Sequence, residues 1–199
     1  YTTPSISTTT TYYVDATSNG CTTASRTSVA ATINPLPTPS ITGSSSVCAN
    51  ATATYSVTNV SGHTYTWTVS GGTIASGSGT STITVTWGSG ASGTVNVTEG
   101  ITATGCTASA TQVAVTINAI PSISGTTPSS RCGTGTVTLG ATASAGTVNW
   151  YDASTGGTLL GTGTSYTTPS ISTTTTYYVD ATSNGCTTAS RTAITATVN

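Results

Sequence analysis

Hydrophobic and polar residues alternate in short stretches along most of this chain. Tyr65, Trp67 and Val69 alternate with threonines, and the same pattern recurs within 53–57, 83–87, 95–97, 113–117, 137–139, 148–150, 177–179 and 194–198. Successive side chains of a β-strand point to opposite faces, so each stretch predicts a strand with one buried face. Turns rich in Gly and Ser lie between them, for example at 88–93. No stretch has helical periodicity, and the pattern therefore predicts an all-β chain.

The first 34 residues return almost unchanged at the other end of the chain. Tyr1–Asn34 recurs as Tyr166–Asn199, with 27 identical positions followed by four substitutions in the last seven. Each copy contains an Asn-Gly pair, Asn19-Gly20 and Asn184-Gly185, which is a strong signal for a tight β-hairpin. The copies are 165 positions apart, too far for one solenoid repeat but suited to two small domains. We expect a segment of a longer tandem array, with the cut inside a domain.

Three similar stretches mark the ends of the predicted domains. SVAATIN ends at Asn34, QVAVTIN at Asn118 and AITATVN at Asn199, and each reads as a last strand. Pro35 and Pro121 follow the first two, and proline ends a β-ladder because it has no backbone N–H to donate. The predicted domains are 1–34, the C-terminal half of one domain and equivalent to 166–199; 35–118, a complete domain of a second kind; and 119–199, a complete domain of the first kind.

The chain carries very little charge. Charged residues make up 4% of it, against roughly 25% in ordinary globular proteins, and the net charge is −1. Disorder requires high net charge, so this composition, rich in β-preferring residues, indicates folded domains. Three basic residues cannot form a patch for nucleic acid. No apolar run approaches the ~20 residues that cross a bilayer. We expect neither a nucleic-acid partner nor a membrane span.

Cysteine and tryptophan spacing predicts the frame of each complete domain. The order Cys48–Trp67–Cys106 recurs as Cys132–Trp150–Cys186, which is typical of immunoglobulin-type β-sandwiches. It predicts one disulfide per domain, Cys48–Cys106 and Cys132–Cys186, each stabilising its domain by about 4 kcal/mol. Cys21 is equivalent to Cys186 and is expected to pair with a cysteine of the missing half-domain. Five cysteines in small, charge-poor domains indicate an oxidising, extracellular location.

The aromatic residues are expected to fill cores and contacts. Trp67, Trp87 and Trp150 are the predicted core residues, because they share strand faces with aliphatic side chains. One ring must point outward in each of the adjacent pairs Tyr12/Tyr13, Trp150/Tyr151 and Tyr177/Tyr178. An outward tyrosine more often packs against a neighbouring domain or chain than against a sugar. Surface polysaccharide is therefore the weaker of the expected partners.

Few side chains are able to carry chemistry. The ionisable residues, cysteines and tyrosines apart, are Asp15, Arg26, His63, Glu99, Arg131, Asp152, Asp180 and Arg191. A nucleophilic triad needs Ser, His and an acid together, whereas His63 is expected in a loop, hydrogen-bonded or facing solvent. Glycoside hydrolysis needs two carboxylates, and 35–118 contains only Glu99. Calcium needs clustered acids, and zinc would need the cysteines assigned to disulfides. We predict no catalytic site, metal or cofactor.

Two stretches resemble known domain families. CANATATYSVTNVSGHTYTWTVSGG at 48–72 is similar to the PKD-like domains that recur in very large Bacteroidota surface proteins. RCGTGTVTLG at 131–140 and YYVDATSNGC at 177–186 are similar to the Ig-like domains that accompany type IX secretion sorting domains. Together the two resemblances cover the whole chain. They imply β-sandwich modules of giant cell-surface adhesins, including those of gliding motility, which the type IX system exports.

The sequence thus predicts tandem immunoglobulin-like β-sandwiches, one disulfide each, in a repeat array. Our main hypothesis is a structural segment of an extracellular filament or adhesin stalk. It would be a stiff spacer for surface attachment or gliding, with adjacent repeats of the same chain and neighbouring filament chains as partners. Two alternatives stay open: a carbohydrate-binding module of a secreted enzyme, and a pilin-like subunit that assembles by strand exchange through residues 1–34.

Overall fold

The computed structural model describes residues 1–199 and contains strands, turns and loops but no helix. The predicted all-β fold is confirmed. No segment forms a helix of the length and apolarity that a membrane span requires. The strands fall into three groups along the chain, and strands pair only within their own group.

Residues 1–34 form a two-stranded sheet and a short hairpin. Strand β1 (Thr10–Val14) pairs antiparallel with β4 (Thr27–Ala31), and β2 (Thr17–Ser18) pairs antiparallel with β3 (Cys21–Thr22). Asn19 and Gly20 turn the hairpin with φ angles of 51° and 82°, in the left-handed region that Asn and Gly adopt most readily. No second sheet covers β1 and β4, so large apolar side chains on them are exposed.

The strands between 46 and 118 form a sandwich of two sheets. The first sheet contains β5 (Ser46–Cys48), β7 (His63–Ser70), β10 (Ser92–Ile101), β11 (Thr107–Ser109) and β12 (Val113–Asn118), and the second contains β6 (Thr52–Ser56), β8 (Gly72–Ser76) and β9 (Thr82–Trp87). In the first sheet β10 pairs with β7, β11 and β12, while β5 runs parallel to the end of β12. In the second sheet β9 lies between β6 and β8.

The strands between 123 and 198 form a second sandwich on the same plan. Its first sheet contains β14 (Ser129–Arg131), β16 (Thr147–Tyr151), β17 (Leu159–Thr162), β19 (Thr175–Ser183), β20 (Cys186–Thr187) and β21 (Thr192–Val198), and its second contains β13 (Ile123–Thr127), β15 (Thr138–Ala143) and β18 (Ser165–Thr167). Here β19 pairs with β16, β20 and β21, and β14 runs parallel to the end of β21.

Each sandwich closes over its own hydrophobic core, of 13 buried residues in the first and nine in the second. Trp67, Trp87 and Trp150 are all buried in these cores. The indole Nε1 of Trp67 donates a hydrogen bond to the carbonyl of Thr80, and that of Trp150 donates to the carbonyl of Gly163, each at 2.8 Å and 13 positions downstream. The two tryptophans therefore occupy the same structural position, and the two kinds of domain share one frame.

Candidate functional site at the junction of the two sandwiches

Each sandwich has a leading end, where the chain arrives, and a trailing end, where it leaves. In the first sandwich the trailing end is at Asn118, the last residue of β12. Its leading end is at 36–40, which share a groove with His63 and Ile101. In the second sandwich the leading end is at Ser122, whose carbonyl accepts a hydrogen bond from Ser144. The junction is where the trailing end of the first sandwich meets the leading end of the second.

Cys48 lies at the trailing end of the first sandwich. Strand β5 runs parallel to the last three residues of β12, with Cys48 opposite Asn118. The next residue, Ala49, donates its backbone N–H to the Asn118 carbonyl at 2.8 Å. Cys48 is thereby held beside the point at which the chain leaves this sandwich.

Cys186 lies at the leading end of the second sandwich. It follows directly after the Asn184-Gly185 turn between β19 and β20, in which both residues have positive φ, at 48° and 78°. Its Sγ lies 3.9 Å from the carbonyl oxygen of Asn118, and the residue is 1% exposed. The β19–β20 hairpin therefore contacts the trailing end of the preceding sandwich.

A disulfide bond joins Cys48 to Cys186 across the junction. The two residues are 138 positions apart in sequence, and their Cα atoms are 5.6 Å apart. Cys21, Cys106 and Cys132 have free thiols. The two sandwiches are thus linked twice, once by the backbone between Asn118 and Ile123 and once by the disulfide.

This pairing replaces the Cys48–Cys106 bond that the sequence predicts. Strand β10 runs the length of the first sandwich, and its ten residues at about 3.3 Å each span ~30 Å. Its first residue, Ser92, lies opposite Thr116 at the trailing end, near Cys48, whereas Cys106 follows its last residue at the leading end. Disulfide formation needs Cα atoms within about 7 Å. The two cysteines of this sandwich are therefore too far apart to bond.

The predicted Cys132–Cys186 bond is wrong for the same reason. Cys132 follows β14, which pairs with the end of β21 at the trailing end of the second sandwich. Cys186 follows β19, whose nine residues lead from that end to the leading end. The length of one strand separates the two sulfurs.

The sequence does contain a signal against bonds within a domain. In the immunoglobulin frame both cysteines belong to core strands of facing sheets. Here Cys186 follows Asn184-Gly185, and Cys106 follows Gly105, which has a φ of 70°. A cysteine beside a turn lies at an end of the sandwich, outside the core strands that an intradomain disulfide would join.

His63 and Glu99 form an acid–base pair inside the first sandwich. His63 is the first residue of β7 rather than a loop residue, and its Nδ1 lies 2.6 Å from Oε1 of Glu99. The Glu99 residue is 5% exposed, and the imidazole is also largely buried. No hydroxyl or thiol is hydrogen-bonded to the other ring nitrogen. The pair lacks the nucleophile of a catalytic triad and holds β7 and β10 together.

Asp180 and Arg191 form a second buried ion pair, in the second sandwich. Nε of Arg191 donates a hydrogen bond to Oδ2 of Asp180 at 3.2 Å, and Nδ2 of Asn149 donates to Oδ1 at 2.8 Å. The guanidinium carbon of Arg191 lies 3.3 Å from the centroid of the Tyr151 ring. Both carboxylate oxygens of Asp180 therefore accept hydrogen bonds from protein side chains. The Arg191 guanidinium covers one face of the Tyr151 ring, so that face cannot stack on a sugar.

Three tyrosines that pack in or against the cores have perturbed acidities. Burial raises the pKa of Tyr55, Tyr166 and Tyr177 above the usual value near 10. The Tyr55 hydroxyl donates to the carbonyl of Ser44 at 2.7 Å. These phenols are uncharged at neutral pH, and their role is to pack in the hydrophobic cores rather than to transfer protons.

The exposed sheet of residues 1–34 carries an apolar groove lined by Tyr1, Tyr13, Val14 and Val29. Asp15 and Arg26 form an ion pair at 3.0 Å beside it. In the second copy the equivalents of Val14 and Val29, which are Val179 and Ile194, belong to a packed core, and the equivalent of Tyr1, Tyr166, packs against that core. The groove therefore has the composition of a sandwich interior.

No three of the His, Cys, Asp and Glu side chains lie together as a metal site would require. The distinctive chemistry of the chain is the reversible bond between thiols, and the structure places that bond between two domains. The fold and the junction define a class of protein: a chain of β-sandwich domains joined end to end.

Comparison with known families identifies both kinds of domain. Residues 1–35 and 119–199 match the family described as "Ig-like domain CHU_C associated", and residues 34–117 match the family described as "PKD-like domain". The first match covers more than half of the chain, which therefore belongs to the CHU_C-associated Ig-like domain family. Ig-like and PKD-like domains are typically non-catalytic. No curated protein matches the chain in sequence.

Solved structures of several multidomain proteins are similar to this chain at low identity. Three N-terminal domains of the Hoc outer capsid protein of bacteriophage RB49 match at 19% identity and a TM-score of 0.43, over 81% of this chain and 59% of that one. Fibronectin(III)-like modules of Clostridium thermocellum CbhA match at 16% identity and a TM-score of 0.43, over 80% and 94%. A C-terminal fragment of intimin matches at 19% identity and a TM-score of 0.44, over 83% of this chain and 65% of that one.

Proposed function

We propose that this chain is a structural segment of an extracellular filament or adhesin stalk, where it acts as a stiff spacer. The observation that carries the proposal is the Cys48–Cys186 bond between consecutive sandwiches. Two domains joined by a single strand of chain are able to swivel about it. A second covalent link removes most of that freedom, because the domains then turn only about the line through the two links. Stiffness is the property that a spacer needs.

The bond also supports the proposed location. Disulfides persist in oxidising compartments, outside the cell or in the periplasm, and are rare in the cytosol. The family to which the chain belongs is associated with extracellular surface proteins. A nearly uncharged, Thr-rich surface suits a filament as well, since neighbouring filaments would repel one another weakly.

The apolar groove of residues 1–34 supports a tandem array. An exposed face of this kind tends to associate with other chains unless a second sheet covers it. In the other copy of the same sequence, strands earlier in the same chain supply that sheet. We infer that a corresponding segment of the same polypeptide covers 1–34, and that the pair of domains repeats with the spacing of 165 positions.

The mass of the source polypeptide tests this proposal. On a reducing, denaturing gel we expect an antibody against this chain to detect a polypeptide many times heavier than 19.5 kDa. The same antibody should label intact cells at the surface, with a cytosolic protein as the negative control. A reduced band near 20 kDa, or labelling only after the cells are broken, would contradict the proposal.

A second candidate function is assembly from separate subunits by strand exchange. The groove of residues 1–34 favours it, because a neighbouring molecule could supply the covering sheet. However, the strands that complete 166–199 are already present in this chain, so a partner would have to donate a second set. A reduced mass near 20 kDa, together with surface labelling, is the result that selects this candidate.

A further inference from the structure

Cys132 occupies the same place in the second sandwich as Cys48 does in the first. Strand β14 runs parallel to the end of β21, with Arg131 opposite Val198. The residue after the cysteine, Gly133, donates its backbone N–H to the carbonyl of Asn199 at 3.2 Å, as Ala49 does to Asn118. Cys132 thus lies at a trailing end, and its thiol is free and exposed.

Cys106 occupies the same place in the first sandwich as Cys186 does in the second. Each follows a glycine with positive φ, at the point where the chain turns from the long strand (β10 or β19) into its short antiparallel partner (β11 or β20). The connection after β10 is at the leading end, since the N–H of Thr102 donates to the carbonyl of Gly62, next to His63. Each complete domain therefore has one cysteine at its trailing end and one at its leading end.

We propose that Cys132 forms a disulfide with the Cys106 position of a PKD-like domain that follows it, so that every domain boundary of the array is crosslinked. The proposal rests on the proposed function, because the partner is the next domain of the same array. By the same rule Cys21, which is equivalent to Cys186, bonds to the Cys48 position of a preceding PKD-like domain. Each free thiol of this chain would then form a disulfide with a cysteine of an adjacent domain in the array.

The bond forms by thiol–disulfide exchange. The two thiols lose two protons and two electrons, and an oxidising disulfide, such as that of an oxidoreductase or of glutathione, accepts them and becomes two thiols. Both thiols lie at domain ends, where such an oxidant has access to them before the domains dock. No buried core has to open for the reaction.

Crosslinks at every boundary create two parallel covalent paths along the array. One path follows the backbone from the Cys21 position to Cys48 and then crosses the disulfide, so it needs 27 positions per repeat. The other follows the backbone from Cys106 to Cys132, which needs 26 positions per repeat. At ~3.5 Å per residue either path limits extension to about 95 Å per repeat, whereas an uncrosslinked repeat would extend to about 580 Å. The paths share no segment, so loss of one bond leaves the other path intact.

An extended chain provides the test. It consists of residues 1–199 with Cys21→Ser, followed by a second copy of 35–118. Because Tyr166–Asn199 repeats Tyr1–Asn34, the new join reproduces the natural sequence around Asn34-Pro35. The chain is folded in a mixture of reduced and oxidised glutathione, its free thiols are alkylated, and it is cleaved after every Arg, Asp and Glu. The fragments are weighed without reduction.

Cleavage places each cysteine on a fragment of distinct mass. We expect fragment 132–152, which contains Cys132, to be joined to fragment 100–118 of the second copy, and fragment 27–99 to be joined to 181–191. Two thiols should be alkylated, the first Cys106 and the second Cys48. The Cys132→Ser variant should keep the bond between 27–99 and 181–191 and raise the number of alkylated thiols to three.

Two results would overturn the inference: a bond between 132–152 and 181–191, or an alkylated Cys132 in a chain whose Cys48–Cys186 bond has formed. A chain in which 27–99 is bonded to 100–131 would contradict the Cys48–Cys186 bond, from which the pairing at the other junction is inferred. Failure here is distinguishable from failure of the proposed function. The peptide masses report the pairing of cysteines in a prepared chain, whereas the mass of the source polypeptide reports whether an array exists.

Discussion

Val14 and Val179 occupy the same position of a repeated sequence, yet Val14 is 56% exposed and Val179 is fully buried. Both lie on an antiparallel strand that pairs with the same partner strand, β1 with β4 and β19 with β21. The difference arises from the second sheet, which covers Val179 and is absent above Val14. The chain thus contains one strand sequence in two environments, which separates the effect of local sequence from that of packing.

Truncation of these two valines should have very different effects. We expect Val179→Ala to lower the free energy of unfolding of the second sandwich by about 2–3 kcal/mol, from lost burial and the cavity that is left. Val14→Ala is the matched control and should change the free energy of unfolding by less than about 0.5 kcal/mol, because Val14 is already exposed. Urea denaturation followed by tryptophan fluorescence measures both. Equal losses in the two variants would show that Val14 is covered in this chain.

Removal of the junction disulfide should uncouple the two sandwiches. Closing a loop of 138 positions contributes about 5 kcal/mol on the chain-entropy model, and most strands of both domains lie within that loop. We expect the intact chain to unfold with strongly overlapping transitions, and Cys48→Ser to give two separate transitions at lower temperature in calorimetry. Cys106→Ser is the control, because Cys106 has no partner in this chain. Identical thermograms for the two variants would contradict a bond at the junction.

The same bond should hide most of the chain from mechanical force. When the termini are pulled, tension passes from Cys48 to Cys186 and bypasses the residues between them. Reduction should release about 480 Å of extra contour length, from 138 positions at ~3.5 Å each. Single-molecule force spectroscopy with and without a reductant measures this length. The Cys48→Ser variant should show the full length under both conditions, and a wild-type chain that did so as well would refute the prediction.

The buried pair of His63 and Glu99 should be structural. We expect Glu99→Gln to lower the free energy of unfolding of the first sandwich by about 1–3 kcal/mol, because a buried charge-assisted hydrogen bond is weakened. Asp152→Asn is the control, since Asp152 is an exposed acid whose Oδ1 accepts one hydrogen bond, from the backbone N–H of Thr158. Urea denaturation of both variants decides the point. A Glu99→Gln chain as stable as the wild type would show that the pair contributes nothing to the fold.

The buried tyrosines should make the fold sensitive to alkali. Burial raises the pKa of Tyr55 in the folded state above the unfolded value near 10, so the folded state keeps its proton where the unfolded state loses it. The stability that the neutral phenol contributes is complete below pH ~10 and is lost as pH rises from there through the folded pKa. We expect the free energy of unfolding to be nearly constant between pH ~8 and ~9.5 and to fall above pH ~10. In Tyr55→Phe the fall should be shallower, and an unchanged slope would exclude Tyr55 as a cause.

Much of the fold follows from the alternation of side chains. Thr at every second position, with Tyr, Trp and Val between, leaves a strand one way to bury its apolar face, so the strand that holds Trp67 is predictable from its neighbours. Asn184-Gly185 predicts its own hairpin, because few other residue pairs adopt two positive φ angles cheaply. The surroundings of His63 are harder to predict from the sequence, because its partner Glu99 is 36 positions away and is brought near only by the pairing of β7 with β10.

The sequence by itself determined the strands with clear apolar–polar alternation, the repeat and the two tryptophan frames, because each depends on residues that are close in the chain or identical in type. Only the tertiary structure decided the partner of each cysteine. Spacing gives the number of residues between Cys48 and Cys106, but bonding depends on distance in space, and a ten-residue strand keeps the two at opposite ends of one sandwich. Stacking the next sandwich end to end brings Cys186, 138 positions away, within bonding distance of Cys48 instead.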